Sequence, residues 1–236
     1  MGAANSTPPR HVPTVDTVQL PRYMGLWWQH AFLPATRLGI SFQSFDPAAV
    51  AAVYAPSSAD ARSAILFRVE NIEWLNIERE RRVVTANARA TADVDYPHEA
   101  GKLRVQFSRI DGTAGSYWIL MLGEPSDAEA PYPWAVVGSQ DPRYLWFLER
   151  TPGTITPSLR DKLLRRLVDE FGYPSDIGSR MLLTPPNPDI VRHTVVDGDE
   201  PSKAWPRPGD PTYGEHSMLS NAQSSWRALS KSMSPQ

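Results

Sequence analysis

Apolar and polar residues alternate in short stretches between residues 23 and 150. Leu103, Val105 and Phe107, for example, alternate with a lysine, an arginine and a glutamine, which is the two-residue period of a strand with one buried face. Such stretches, joined mostly by short connections, predict an all-β fold, either an up-and-down barrel or a sandwich. The second stretch is rich in alanine and is also compatible with a helix. The predicted strands are 23–33, 48–54, 64–70, 82–94, 102–108, 116–122, 134–140 and 144–150.

The period changes to that of a helix after the last of these strands. Thr156 and Pro157 favour a helix start, with the threonine as N-cap and the proline in the first turn. Gly172 is typical of the residue that follows a helix end. The apolar residues form one stripe, so we expect the helix to pack against the outside of the sheet, and a last short strand to follow at 180–184. The stripe consists of Leu159, Leu163, Leu164, Leu167, Val168 and Phe171.

Prolines are concentrated near the two ends of the chain. Proline fixes φ and lacks a backbone donor, so both ends are predicted to be extended and to stay out of the sheet. The predicted organisation is an extended arm over 1–21, a barrel with its helix over 22–184, and a proline-rich tail over 185–236. Apolar residues in the tail predict a short amphipathic helix over 216–233, and the alternative is a disordered tail with incidental apolar residues.

Charged positions distinguish the two faces of the predicted barrel. Because strand side chains alternate between faces, Arg68, Lys102 and Arg104 are predicted to face water and their neighbours to face inward. A barrel of this size has room for one small ligand or for packed side chains, so the lumen is either a binding site or a filled core. The residues predicted to line the lumen are Tyr54, Ile65, Phe67, Val69, Leu103, Val105, Phe107, Trp146 and Leu148.

Two segments far apart in the chain carry a specific pattern. Gly25 and Trp27 lie in the first predicted strand, and Arg150 ends the last one. With their neighbours in 22–28, 116–120 and 135–152, and with the helix that ends at Gly172, they resemble the lipocalins over about residues 20–184. Within that family the stretches are most similar to the group of bacterial outer-membrane lipocalins, plant temperature-induced lipocalins and apolipoprotein D.

The resemblance implies an eight-stranded antiparallel up-and-down barrel with one C-terminal helix packed outside. It also implies that the guanidinium of Arg150 lies over the indole of Trp27 and closes one end, a structural contact of about 1–2 kcal/mol when desolvated. The implied function is to bind a small hydrophobic ligand, a lipid or fatty acid, as a membrane-associated carrier or protective protein. The chain departs from the family pattern at 28–30, in an acidic insert at 123–133 and in its long tail.

Composition argues against several other functions. The chain has no cysteine, which excludes disulfides, zinc–thiolate sites, a cysteine nucleophile and palmitoylation. Its net charge of −2 gives no general attraction to nucleic acid. No catalytic motif is present, and the histidines lack metal-ligand spacing, so neither an enzyme nor a cofactor is expected. The histidines are His11, His30, His98, His193 and His216.

The N-terminal residues give a signal for where in the cell the protein is located. Gly2 followed by Ser6 fits the N-myristoylation pattern, although the same residues also suit an unmodified start. No apolar run is long enough to span a bilayer, and no secretory signal is visible. The expected location is intracellular and at a membrane, with a mitochondrion or a plastid left open as the organelle.

The two terminal segments suggest a second hypothesis for the function of the protein. The protein would then be a non-catalytic accessory subunit of a larger protein complex, for which a membrane-bound assembly is one option. It would be anchored through residues 1–21 and 185–236, with the barrel as a structural or lipid-holding module. The candidate docking residues are Trp205, Met218, Trp226 and Leu229.

Overall fold

A computed structural model describes residues 12–34, 36–37, 40–41, 47–56, 65–77, 80–107 and 114–184. Its strands are β1 (Gly25–Phe32), β2 (Thr36–Arg37), β3 (Ile40–Ser41), β4 (Pro47–Pro56), β5 (Ile65–Ile77), β6 (Glu80–Ala92), β7 (Lys102–Phe107), β8 (Gly115–Leu122), β9 (Trp134–Gly138), β10 (Leu145–Glu149) and β11 (Leu182–Leu183). Its helices are α1 (Leu20–Tyr23), α2 (Pro157–Asp169) and α3 (Ile177–Arg180).

Eight of the strands form a closed antiparallel barrel. From β4 to β10 each strand pairs with the next, β4 also pairs with β1, and β10 returns to pair with β1. The short β11 adds to β1 beyond the point where β4 leaves it, and β2 and β3 form a separate hairpin. The predicted eight-stranded up-and-down barrel is therefore confirmed.

β5 extends well beyond the predicted strand 64–70, whereas β6 has its predicted length and begins two residues earlier than predicted. β5 and β6 each contain 13 residues and stay paired as far as Ile77 and Glu80. The apolar alternation of β5 is broken by Asn71 and Glu73, so the pattern alone ends this strand too early. The ladder continues because its hydrogen bonds join backbone groups and do not require apolar side chains. The β2–β3 hairpin lies between the first two predicted strands, where the sequence pattern predicted no strand.

The long helix forms where its local signals place it. The backbone N–H of Leu159 donates to the Thr156 hydroxyl at 3.3 Å, and Pro157 is the first helical residue. After the helix, Gly172 has φ +65°, in the left-handed region that favours glycine. Leu163 and Leu167 are buried against the barrel wall, so the predicted position outside the barrel is confirmed.

The barrel wall separates two apolar clusters. A β-bulge in β8, between Ile119 and Met121, places Ile119 in the inner cluster and both Leu120 and Met121 in the outer one. The outer cluster, beneath α2, consists of Val12, Ala31, Leu33, Trp118, Leu120, Met121, Val136, Leu145, Phe147, Ile155, Leu163, Leu167, Phe171, Tyr173 and Ile177. The inner cluster, inside the barrel, consists of Tyr23, Trp27, Ala52, Tyr54, Phe67, Val69, Ala88, Ala90, Leu103, Val105, Ile119, Tyr132, Ala135, Val137 and Leu148.

Residues 12–19 run across the end of the barrel where β1 begins. Val12 is buried in the outer cluster, whereas Val15 and Val18 pack against the inner one. The N–H of Val15 donates to the carbonyl of Ile119 in β8 at 3.1 Å. These residues and α1 therefore cover one end of the barrel, which we call the closed end.

Candidate ligand-binding site

Arg150 forms the floor of the barrel at the closed end. Its guanidinium lies 4.0 Å from the centre of the Trp27 ring and donates to three backbone carbonyls. The acceptors are Leu26 at 2.8 Å, Arg22 at 2.9 Å and Met24 at 2.6 Å. Burial lowers the pKa of Arg150 to about 10, so the side chain remains cationic at neutral pH.

Gly25 gives Arg150 the room to reach these carbonyls. Its φ is +101°, and a Cβ added there would lie 3.0 Å from an Nη atom of Arg150. An L-residue is strained at this φ and would also displace the guanidinium. Trp27 is fixed as well, because its indole N–H donates to the Tyr23 carbonyl at 2.8 Å. The structure therefore brings Gly25, Trp27 and Arg150 together in one contact.

A chain of three tyrosine hydroxyls lies above this floor. The hydroxyl of Tyr117 is 2.8 Å from that of Tyr23 and 2.8 Å from that of Tyr54. Tyr23 and Tyr54 are buried, and Tyr117 is half-buried. Burial raises the pKa of Tyr54 to about 12 and raises the pKa values of Tyr23 and Tyr117 well above their usual value. At neutral pH all three hydroxyls are therefore protonated donors. We call this chain the tyrosine trio.

The structure brings most of the predicted lumen residues together. Phe107 and Trp146 are half-buried although they pack against the inner cluster, so part of the inner surface is accessible. Ile65 lies outside the inner cluster, because the pairing of β5 with β6 shifts by a β-bulge between Ile65 and Phe67. The predicted residues that belong to the inner cluster or pack against it are Tyr54, Phe67, Val69, Leu103, Val105, Phe107, Trp146 and Leu148.

Sequence reasoning missed several inner residues. Tyr23 and Tyr117 were not predicted, because the first lies in a short helix and the second in a strand that is apolar on both faces. The small residues Ala88 and Ala90 of β6 also belong to the inner cluster. A usable signal for Tyr117 is that it is two residues from the apolar Ile119, on the same side of its strand.

The prediction that Lys102 faces water is wrong. Lys102 is on the outer face but only 1% exposed. Its ammonium lies 3.8 Å from the centre of the Tyr96 ring, 4.5 Å from that of Trp118 and 2.8 Å from a Glu99 carboxylate oxygen. The alternation pattern places Lys102 correctly on the outer face, but there two aromatic rings and a carboxylate surround its ammonium in place of water.

Other predicted residues fall outside the described part of the chain. These are Gly2, Trp205, Met218, Trp226 and Leu229, and their roles stay predictions. Within the described ranges, no group of three histidine, aspartate or glutamate side chains is placed to hold a metal ion. No helix of the described residues has the length and apolarity needed to cross a membrane.

The comparisons with known proteins agree with this geometry. A family model described as a lipocalin-like domain matches residues 18–177 of the 236 residues. The matched span runs from the residues before α1 into α3 and includes the floor, the inner cluster and α2. A comparison with curated proteins gave no match.

Proposed function

Since this chain belongs to the lipocalin family, we propose that its barrel binds a small hydrophobic molecule, a lipid or a fatty acid, in the lumen. Lipocalins are typically non-catalytic binding proteins, and we propose the same of this chain. The similarity of residues 22–28 and 144–152 to the bacterial outer-membrane, plant temperature-induced and apolipoprotein D group favours a lipid as the ligand. Membrane association, an accessory role in a complex and an intracellular location stay predictions from the sequence.

The observation that carries the proposal is a barrel sealed at one end whose inner side chains are apolar yet partly accessible. The arm, α1 and Arg150 cover the closed end. Phe107, Trp146 and Tyr117 keep accessible surface inside the wall. Burial of apolar ligand surface against such side chains contributes about 25 cal/mol per Å², so an elongated hydrocarbon chain suits this interior.

The test is a charge placed inside the barrel and compared with the same charge outside it. Phe107→Asp puts a carboxylate on the inner face, whereas Gln106→Asp, one residue earlier, puts it on the exposed face. Lipids that co-purify are identified by native mass spectrometry and lipid extraction, and binding of a fluorescent fatty acid is measured by titration. We expect Phe107→Asp to lose at least tenfold in affinity and Gln106→Asp to bind as the parent protein does. Equal binding by both variants, or no bound lipid in any of the proteins, would contradict the proposal.

A further inference from the structure

The tyrosine trio is a polar group within an otherwise apolar interior. Its members come from three elements, with Tyr23 in α1, Tyr54 in β4 and Tyr117 in β8. The rings of Tyr23 and Tyr54 are 5.4 Å apart, and both pack on Phe67. Packing thus holds the hydroxyls in place. Binding sites commonly use a few fixed polar groups within an apolar lining to orient a ligand.

One of the three hydroxyl groups of the trio has an O–H without an acceptor. The three hydroxyls carry three protons and form two hydrogen bonds with one another. In the described part of the chain no further acceptor lies within hydrogen-bond distance of any of them. Whichever way the two bonds run, one O–H is left over. When Tyr23 and Tyr54 both donate to Tyr117, the spare proton is on Tyr117, the member that keeps accessible surface.

The surroundings of the trio favour a negatively charged acceptor. The cation that acts on Tyr23 and Tyr54 is the guanidinium of Arg150 in the floor beneath them. No carboxylate of the described residues contributes to the electrostatic environment of Tyr23, Tyr54 or Tyr117. An unpaired buried donor costs free energy, and an anionic acceptor relieves this cost most effectively.

We propose that the tyrosine trio holds the carboxylate of a fatty acid, so that the ligand enters with its polar end toward the closed end. The hydrocarbon chain then lies along the inner cluster, against Phe67, Val69 and Val105. Arg150 attracts the carboxylate through its charge, while its Nη donors stay on the backbone carbonyls. This inference rests on the proposed function and adds the class of ligand and its direction in the barrel.

The first experiment removes all three hydroxyls together. The variant Tyr23→Phe, Tyr54→Phe, Tyr117→Phe keeps the rings and leaves no orphaned hydroxyl, since every partner is removed at once. The matched control is Tyr173→Phe, which removes a buried hydroxyl in the outer cluster. The probes are hexadecanoic acid and its methyl ester, titrated by calorimetry in the full-length protein.

The parent protein and Tyr173→Phe should bind the acid more tightly than the ester. The triple variant should lose at least tenfold in affinity for the acid and little for the ester, because hydrogen bonds to a charged group are the strong ones. If the parent binds neither probe, the proposed function itself fails. If the parent binds the acid and the triple variant binds it equally well, the barrel holds fatty acid but the trio does not.

A second measurement uses the parent protein alone and covers the case of a triple variant that does not fold. Hexadecanoic acid labelled with carbon-13 at the methylene next to the carboxyl, or at the terminal methyl, is bound and its contacts to tyrosine rings are measured by NMR. The methylene should show contacts to the rings of Tyr117 and Tyr54. Contacts from the terminal methyl instead would reverse the direction of the ligand and overturn the inference.

Discussion

At the scale of single residues, Arg150 connects several parts of the closed end. It donates to the carbonyls of Arg22, Met24 and Leu26 and stacks on Trp27. One side chain from the end of β10 thus ties the turn between α1 and β1 to the strand that pairs with β1 and closes the barrel. Its role is structural, because these contacts seal the barrel at the closed end.

Replacement of Arg150 by leucine should destabilise the protein strongly. The change leaves three carbonyls without their donor and removes a cation–π contact, so we expect a loss of about 2–4 kcal/mol in the free energy of unfolding. Urea denaturation followed by tryptophan fluorescence measures it. Arg143→Leu is the control, since Arg143 is exposed and pairs only with Asp141 and should change the midpoint little. Similar midpoints for the two variants would show that the floor contact is dispensable.

The tyrosine trio should make the protein sensitive to alkaline pH. Its folded-state pKa values are raised, to about 12 for Tyr54, so the folded protein binds more protons than the unfolded chain above about pH 10. The stabilisation is therefore complete below pH 10 and is lost as pH rises through about 12. We expect the free energy of unfolding of the parent to fall over this window more steeply than that of the triple phenylalanine variant.

Urea denaturation at pH 8, 10 and 11.5, followed by tryptophan fluorescence, measures this difference. Arg150 and the remaining tyrosines are present in both proteins, so their own titration largely cancels in the comparison. Parallel curves for the two proteins would mean that the trio ionises as readily when folded as when unfolded, which its burial argues against.

At the scale of elements, local signals were sufficient for some parts of the fold. The N-cap Thr156, the first-turn Pro157 and the C-terminal Gly172 all act on residues within one turn, so the start and end of α2 could be predicted. The alternation of β7 likewise gave its inner face, because Leu103, Val105 and Phe107 all contact the inner cluster.

Features set by contacts between distant elements could not be predicted in this way. The length of β5 depends on backbone pairing with β6 and cannot be predicted from the side chains of β5 alone. The burial of Lys102 depends on Trp118 in the neighbouring strand and Tyr96 in a turn. The tyrosine trio joins positions 94 and 63 residues apart, so its existence follows only from the closed barrel.

At the scale of the whole molecule, residues 12–19 act as a cover for the closed end. They connect both sides of the barrel wall, with Val12 in the outer cluster and Val15 and Val18 against the inner one. Two hydrogen bonds fix them, from Val15 N–H to the Ile119 carbonyl and from Gln19 N–H to the Tyr132 hydroxyl at 3.2 Å. A cover held by both apolar and polar contacts should move together with the floor beneath it.

A charge introduced into this cover should loosen the floor without touching Arg150. Val15→Asp places a carboxylate against the inner cluster, whereas Thr17→Asp places it on an exposed position two residues later. We expect Val15→Asp to lower the melting temperature and to speed hydrogen exchange of the Trp27 indole N–H, which donates to Tyr23 in the floor. Exchange is followed by NMR, and Thr17→Asp should exchange at the rate of the parent. A lower melting temperature of Val15→Asp with unchanged hydrogen exchange at Trp27 would contradict this expectation. The cover would then stabilise the protein without closing this end of the barrel.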